Sequence, residues 1–229
     1  MRPGFWFSSI GKKFLVAATG FILFGFVVAH MLGNLQIFLG REALNSYAEH
    51  LEELPALLWP ARGVLLVSIL IHIVLAVQLS IQNRQARPVA YTNKKSAVST
   101  FASRTMLVTG SAVFFFIVYH LLHFTFKAVH PQYSRFLDAH GNRDVYSMVV
   151  ASFRDPWIAA SYVLAMIFLC LHLSHGARSL FQSLGASDEE LKPFWKWVAR
   201  GAAAVIFIGN CSIVTASYFG LLPLPGKNG

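Results

Sequence analysis

The chain has few charges, and the stretches that carry none define its class. Asp, Glu, Lys and Arg make up 13% of the 229 residues, against roughly 25% in an ordinary soluble domain. None of the four occurs between Lys13 and Arg41, Arg62 and Arg84, Arg104 and Lys127, Asp155 and Arg178, or Arg200 and Lys227. Each of these five gaps is 21 residues or longer, and a helix needs about 20 apolar residues to cross a bilayer. Cysteine is equally scarce. Cys170 and Cys211 both fall in apolar runs with no CxxC spacing, which excludes a disulfide framework and points to two reduced thiols. The net charge of +9 does not form a stripe: the basic residues flank apolar runs, so a nucleic-acid partner is excluded. The first apolar run follows Lys12 and Lys13 as a signal peptide's would. It exceeds a signal core of about 7 to 15 residues and lacks a small-x-small cleavage site, so it is expected to be retained.

What remains is an all-α chain, a single membrane domain of five transmembrane helices expected over residues 14–39, 63–83, 105–126, 157–181 and 195–222. Between the first two, residues 41–54 place Leu44, Tyr47, Leu51 and Leu54 at helical spacing with Glu42, Glu49, Glu52 and Glu53 between them. That pattern predicts a short amphipathic helix on the outer surface, and Pro55 and Pro60 are expected to punctuate the chain before helix II. The connection from Lys127 to Asp155 reads as a long loop with turns at HGN and RDP. Residues 84–103 read as a basic connector, Ser187–Glu190 as a capping box, and Phe5, Trp6 and Phe7 as interfacial aromatics. With the N-terminus cytoplasmic, twelve of the nineteen basic residues lie inside and seven of the ten acids outside. The positive-inside rule therefore predicts N-terminus in and C-terminus out. No segment offers a soluble core, so chemistry on water-soluble substrates belongs to another chain.

Against this apolar background stand four histidines. Thr19–His30 (TGFILFGFVVAH) and Thr109–His120 (TGSAVFFFIVYH) share a Thr-Gly pair and a histidine ten residues after the glycine, and two further runs carry His72 and His172. An ionisable group in a membrane span is costly and is by default a functional candidate. At about 1.5 Å per residue, His30 lies ~26 Å and His120 ~24 Å from the cytoplasmic helix ends, His72 ~17 Å and His172 ~15 Å. The four therefore fall in two layers, His30 with His120 and His72 with His172. Two bis-histidine haems stacked across a bilayer require this arrangement, since each iron takes one axial ligand from either side. Eleven residues is about 1100° of helical rotation, so Thr19 and Thr109 share a face with their histidines, and the adjacent Gly20 and Gly110 would let a porphyrin edge or a neighbouring helix come close.

A lone intramembrane histidine is as often a packing residue as a ligand; four in two matched layers are far less easily explained that way. His123 and His175 each follow a proposed ligand by three residues. HxxH pairs also suit a zinc-type ion, though such sites usually recruit Asp, Glu or Cys, and only Cys170 is near. His120 is preferred because it repeats the spacing of helix I, and His172 because its depth matches His72. His123 and His175 are left to hydrogen bonds with the ligands, a haem propionate or a quinone.

The stretches KKFLVAATGFILFGFVVAHMLGN, LNSYAEHLEELPALLWPARGVLLVSILIHI and LHLSHGARSLFQSLG resemble the di-haem cytochrome b membrane-anchor subunit of succinate dehydrogenases and fumarate reductases. The likeness extends over all five expected helices. It implies that His30 and His120 hold a distal haem b and His72 and His172 a proximal one. It implies a flavoprotein (FAD) subunit and an iron-sulfur subunit on the cytoplasmic face of a bacterial inner membrane, and a quinone, commonly menaquinone, reacting near the distal haem. A dimer of such heterotrimers is an expected assembly. The chain would then be a membrane subunit of an oxidoreductase, with succinate chemistry elsewhere. In that family an acidic residue of the first outer loop is linked to quinone protonation; Glu52 is the nearest match and Glu49 the next. The alternative for Glu52 is a solvated helix face. The alternatives for the chain are a di-haem cytochrome of another quinone-linked dehydrogenase and a haem-free, metal-binding membrane transporter.

Overall fold

The computed structural model describes residues 8–85, 105–138, 141–183 and 191–224. Helix α1 (Ser9–Asn34) begins where the Ser8 hydroxyl accepts the Gly11 amide at 3.1 Å, and it continues as a 3-10 turn, Leu35–Leu39. Gly40, at φ 112°, reverses the chain into α2 (Arg41–Glu52). Then come α3 (Pro55–Gln85), α4 (Met106–His120) with a π turn Leu121–Thr125, and a 3-10 turn Pro131–Arg135. Helices α5 (Val145–Phe153), α6 (Pro156–Ser183) and α7 (Lys192–Tyr218) complete the chain. Five of these segments are long and apolar enough to cross a membrane: Ser9–Leu39, Pro55–Asn83, Met106–Thr125, Pro156–Ala177 and Lys192–Tyr218. The fold is an all-α, five-helix membrane bundle.

Several expected boundaries move, each for a physical reason. Helix α3 begins at Pro55 and carries Pro60 inside it, instead of starting after both prolines. Pro55 sits in the first turn, where no amide needs a partner, and Pro60 in the second turn removes a single ladder bond. Helix α4 gives way after His120 to the π turn, closed by Phe126 N–H donating to the Leu121 carbonyl at 2.7 Å. The long loop expected between Lys127 and Asp155 contains a helix, α5. Seven of its nine residues are buried: Tyr146, Ser147, Met148, Val150, Ala151, Ser152 and Phe153. Its one partly open face carries Val145 and Val149, so the helix shows no polar face and periodicity does not reveal it. The connector 84–103, apart from its first two residues, together with the Ser187–Glu190 capping box and the aromatics Phe5, Trp6 and Phe7, lies outside the described residues.

Packing divides the bundle into two unlike ends. Along the spans α1 packs on α3 and α6, and α6 on α4 and α7, while large side chains such as Phe21, Leu66, Leu70, Phe115, Val205 and Ile208 face outward. In water such a surface would be untenable; toward lipid it is neutral. The buried apolar core gathers at the end that holds α2 and α5, around Ile37, Leu44, Tyr146, Val150, Phe153, Ile158, Tyr162 and Ile213. Helix α5 caps this end, and Asp144 anchors it. The Asp144 carboxylate, 1% exposed, accepts from the Ser147 amide at 3.0 Å, from Asn45 Nδ2 at 3.0 Å and from Arg41 Nε at 2.9 Å. Asn45 returns a bond by accepting the Tyr146 amide at 2.9 Å.

Burial alone would raise the Asp144 carboxyl, but hydrogen bonds from Arg41, Ser147 and Asn45 outweigh it and hold the group below the usual carboxylate value. The folded state thus favours the anion. Its contribution is complete above the unfolded carboxylate pKa of about 3.9 and is lost as pH falls through the lower folded value. The thermal midpoint of the solubilised chain is expected to drop below about pH 4. Asp144→Asn should lower stability by roughly 3 kcal/mol at neutral pH, because it strands Arg41 and Asn45, and should flatten that acid dependence.

Candidate cofactor site: two levels of paired histidines

The level farther from the cap is formed by His72 of α3 and His172 of α6, their ring centres 6.4 Å apart at 67°. Each is cradled by the Thr-Gly pair of another helix. On α1, Thr19 donates its hydroxyl back to the Leu15 carbonyl at 2.7 Å, and its Oγ1 lies 3.3 Å from His72 Nδ1. His72 Nδ1 is 3.1 Å from the Val16 carbonyl, three residues before that threonine. On α4, Thr109 donates to the Met106 carbonyl at 3.1 Å and lies 3.4 Å from His172 Nδ1, and His172 bonds the Met106 backbone. Since a carbonyl only accepts, His72 must carry its proton on Nδ1, which leaves Nε2 with a free lone pair. The Met106 bond does the same for His172. A Cβ at Gly20 would lie 3.2 Å from His72 Cε1, and one at Gly110 3.2 Å from His172 Cε1. The Thr-Gly motif therefore makes room for and orients an imidazole of a neighbouring helix.

The level nearer the cap pairs His30 of α1 with His120 of α4, ring centres 5.7 Å apart and nearly perpendicular at 89°. Phe26 stacks on His30 at 5.4 Å, while Phe116, Phe124 and Tyr162 surround His120. His120 Nδ1 lies 3.4 Å from the Tyr162 hydroxyl. An iron held by two imidazole nitrogens at about 2 Å each sets their ring centres roughly 6 Å apart, so both pairs fit axial ligation of a haem. Among the described residues no three His, Cys, Asp or Glu side chains gather closely enough to hold a bare metal ion. A donor set that comes in pairs suits a macrocycle that supplies the remaining ligands itself.

The other candidates fall elsewhere. His123, 2% exposed, turns away from the pair: Nδ1 meets the Tyr162 hydroxyl at 3.0 Å and Nε2 the Ser152 hydroxyl at 3.2 Å, so both nitrogens are engaged. Its ring stacks on Phe124 at 4.0 Å. His175 is half-buried one turn along α6 from His172. Glu52, 59% exposed, pairs with Arg143 at 3.0 Å, and Glu49 accepts from Asn142 at 2.9 Å; both acids tie α2 to the segment ahead of α5. Cys170 and Cys211 are free thiols, and Cys170 donates to the Ala203 carbonyl. Sequence reasoning passed over Tyr162 and Ser152. A tyrosine inside an apolar span was the available signal, whereas Ser152 belongs to the helix that periodicity did not reveal.

Five apolar spans define an integral membrane protein, and the histidines paired between them are its candidate cofactor ligands. The family model for the succinate dehydrogenase/fumarate reductase transmembrane subunit matches residues 82–209, more than half of the chain, and the chain belongs to that family. It is a membrane-anchor subunit of an oxidoreductase complex, from a family of cytochrome b-type anchors that bind haem and quinone and associate with flavoprotein and iron-sulfur subunits. The matched region holds His120 and His172; His30 and His72 precede it. Neither the curated proteins nor the solved structures include a match.

The close approach at the glycines can be tested directly. Gly20→Leu or Gly110→Leu should push the neighbouring imidazole off its carbonyl and lower stability by about 1–3 kcal/mol, as overpacking does. The alanine variants, which need a shift of only a few tenths of an ångström, should cost under about 1 kcal/mol. Thermal unfolding of the solubilised chain measures both.

Proposed function

We propose that the chain is a di-haem anchor: His30 and His120 ligate one haem b, His72 and His172 a second, and the subunit carries electrons between the iron-sulfur subunit and membrane quinone. The observation that supports this most strongly is the pairing of four histidines from four helices at two levels, with ring separations of 5.7 and 6.4 Å. Haem b, when bound, supplies a one-electron carrier whose potential depends on its ligands and their hydrogen bonds. The chain's own contribution is to hold His72, His120 and His172 by Nδ1 so that Nε2 is available, to stack Phe26 on His30, and to keep water out with apolar walls.

In our reading the capped end faces outward and the N-terminus lies in the cytoplasm, as the basic flanks favour. The His72–His172 level is then nearer the partner subunits, and the His30–His120 level nearer a quinone, menaquinone in our assignment, at the outer side of a bacterial inner membrane. His175, half-buried, is assigned to contacts with a propionate or quinone. Glu52, exposed at the capped end beside Arg143, is assigned to proton exchange between quinone and the outer water.

Pyridine haemochrome analysis of the detergent-purified complex should give two haems b per chain. His30→Ala and His120→Ala should disturb one of them, His72→Ala and His172→Ala the other, and His175→Leu neither. A haem-free preparation would sink the reading. Glu52→Gln should slow quinone turnover on the order of tenfold with haem content unchanged; turnover at the wild-type rate removes Glu52 from the mechanism.

A further inference from the structure

The hydrogen bonds around His120 have a direction that the donors and acceptors themselves impose. Ser152 gives its single proton to the Met148 carbonyl at 2.7 Å, so toward His123 its oxygen can only accept. His123 Nε2, 3.2 Å from that oxygen, must therefore carry a proton. The ring sits among Tyr119, Phe124, His130, Ser152 and Tyr162, none of them anionic, and a lone buried imidazolium there would be costly. As the neutral form it has only one N–H, and Nδ1 is an acceptor. The Tyr162 hydroxyl, 3.0 Å away, then donates to Nδ1. With its proton committed, the Tyr162 oxygen can only accept from His120 Nδ1, at 3.4 Å.

We propose that Tyr162, His123 and Ser152 form a directed relay, anchored on the Met148 carbonyl of α5, that holds the proton of His120 on Nδ1 and positions its Nε2 for the haem iron. The inference rests on the ligation proposed above. It assigns Tyr162 as a positioning residue for the capped-level haem and gives α5 a role in tuning it. Among the described residues the other level is held differently: backbone carbonyls of Val16 and Met106 hold His72 and His172 directly. The two haems are thus tuned by different means, one through rigid backbone and the other through a chain of side chains that substitution can break.

The test uses the intact complex in detergent, with redox titration of the haem absorption bands and low-temperature EPR. The capped-level haem is first assigned as the one disturbed by His120→Ala. Tyr162→Phe removes the acceptor for His120 Nδ1–H and weakens donation by the ligand, so the ferric form is less stabilised. At a fixed ambient potential the ferrous-to-ferric ratio of that haem should rise on the order of tenfold, about 59 mV for one electron. Its EPR signal should shift and the other haem should be unchanged. Ser152→Ala, which breaks the far end of the relay, should move the same haem in the same direction by less. Unchanged potential and EPR in both variants overturn the relay. Should Tyr162→Phe lose its haem, Ser152→Ala decides alone. Absence of haem from the wild-type complex would instead refute the ligation, a separate failure.

Discussion

An imidazole inside hydrocarbon must find partners for its nitrogens, and this requirement organises the rest of the molecule. His72 meets it with the Val16 carbonyl, a group already bonded within α1 but with a lone pair to spare. Thr19 can stand beside that bond because its hydroxyl is turned back onto the Leu15 carbonyl. Gly20 can stand there because it has no side chain. The same three-part device recurs on α4 with Met106, Thr109 and Gly110 around His172. Helix packing and imidazole orientation are thus one interaction. The approach that brings α1 to α3 and α4 to α6 is also what sets the tautomer of each histidine.

The two ends of the bundle meet the bilayer problem differently. Along the spans the helices touch through small residues and expose large apolar ones, as expected where lipid competes with protein for apolar contact. At the cap a buried core appears, with Asp144, Arg41 and Asn45 satisfying one another beneath it. Helix α5 can be buried because its N-terminus is capped by Asp144 and the segment after it is tied by Arg154 donating to the Leu222 carbonyl. The cap gives His123 the Ser152 hydroxyl, while Tyr162 of α6 reaches both His120 and His123, and the cap closes the bundle over the His30–His120 level.

Much of this was written in the chain. Five charge-free gaps set the helix count, because a charged side chain in hydrocarbon is too costly for a span to tolerate casually. The spacing from Thr-Gly to histidine, repeated on two helices, marked both levels, because helical rise converts residue number directly into depth. Boundaries were less legible. Proline at 55 and 60 suggested a late start for α3, yet a proline in the first turns removes little, and the helix runs through both. Helix α5 left no periodic trace because even its partly open face, Val145 and Val149, is apolar.

By itself, then, the sequence determined the class, the number of spans and which histidines share a level, since all three depend on distance along a helix and on what hydrocarbon excludes. Only the tertiary structure decided azimuth and partners. It placed Thr19 against His72 and turned His123, within the π turn that follows His120, toward Ser152 and Tyr162. The reason is that facing across helices depends on how each one is rotated and where it bends, and a linear pattern carries that information only weakly.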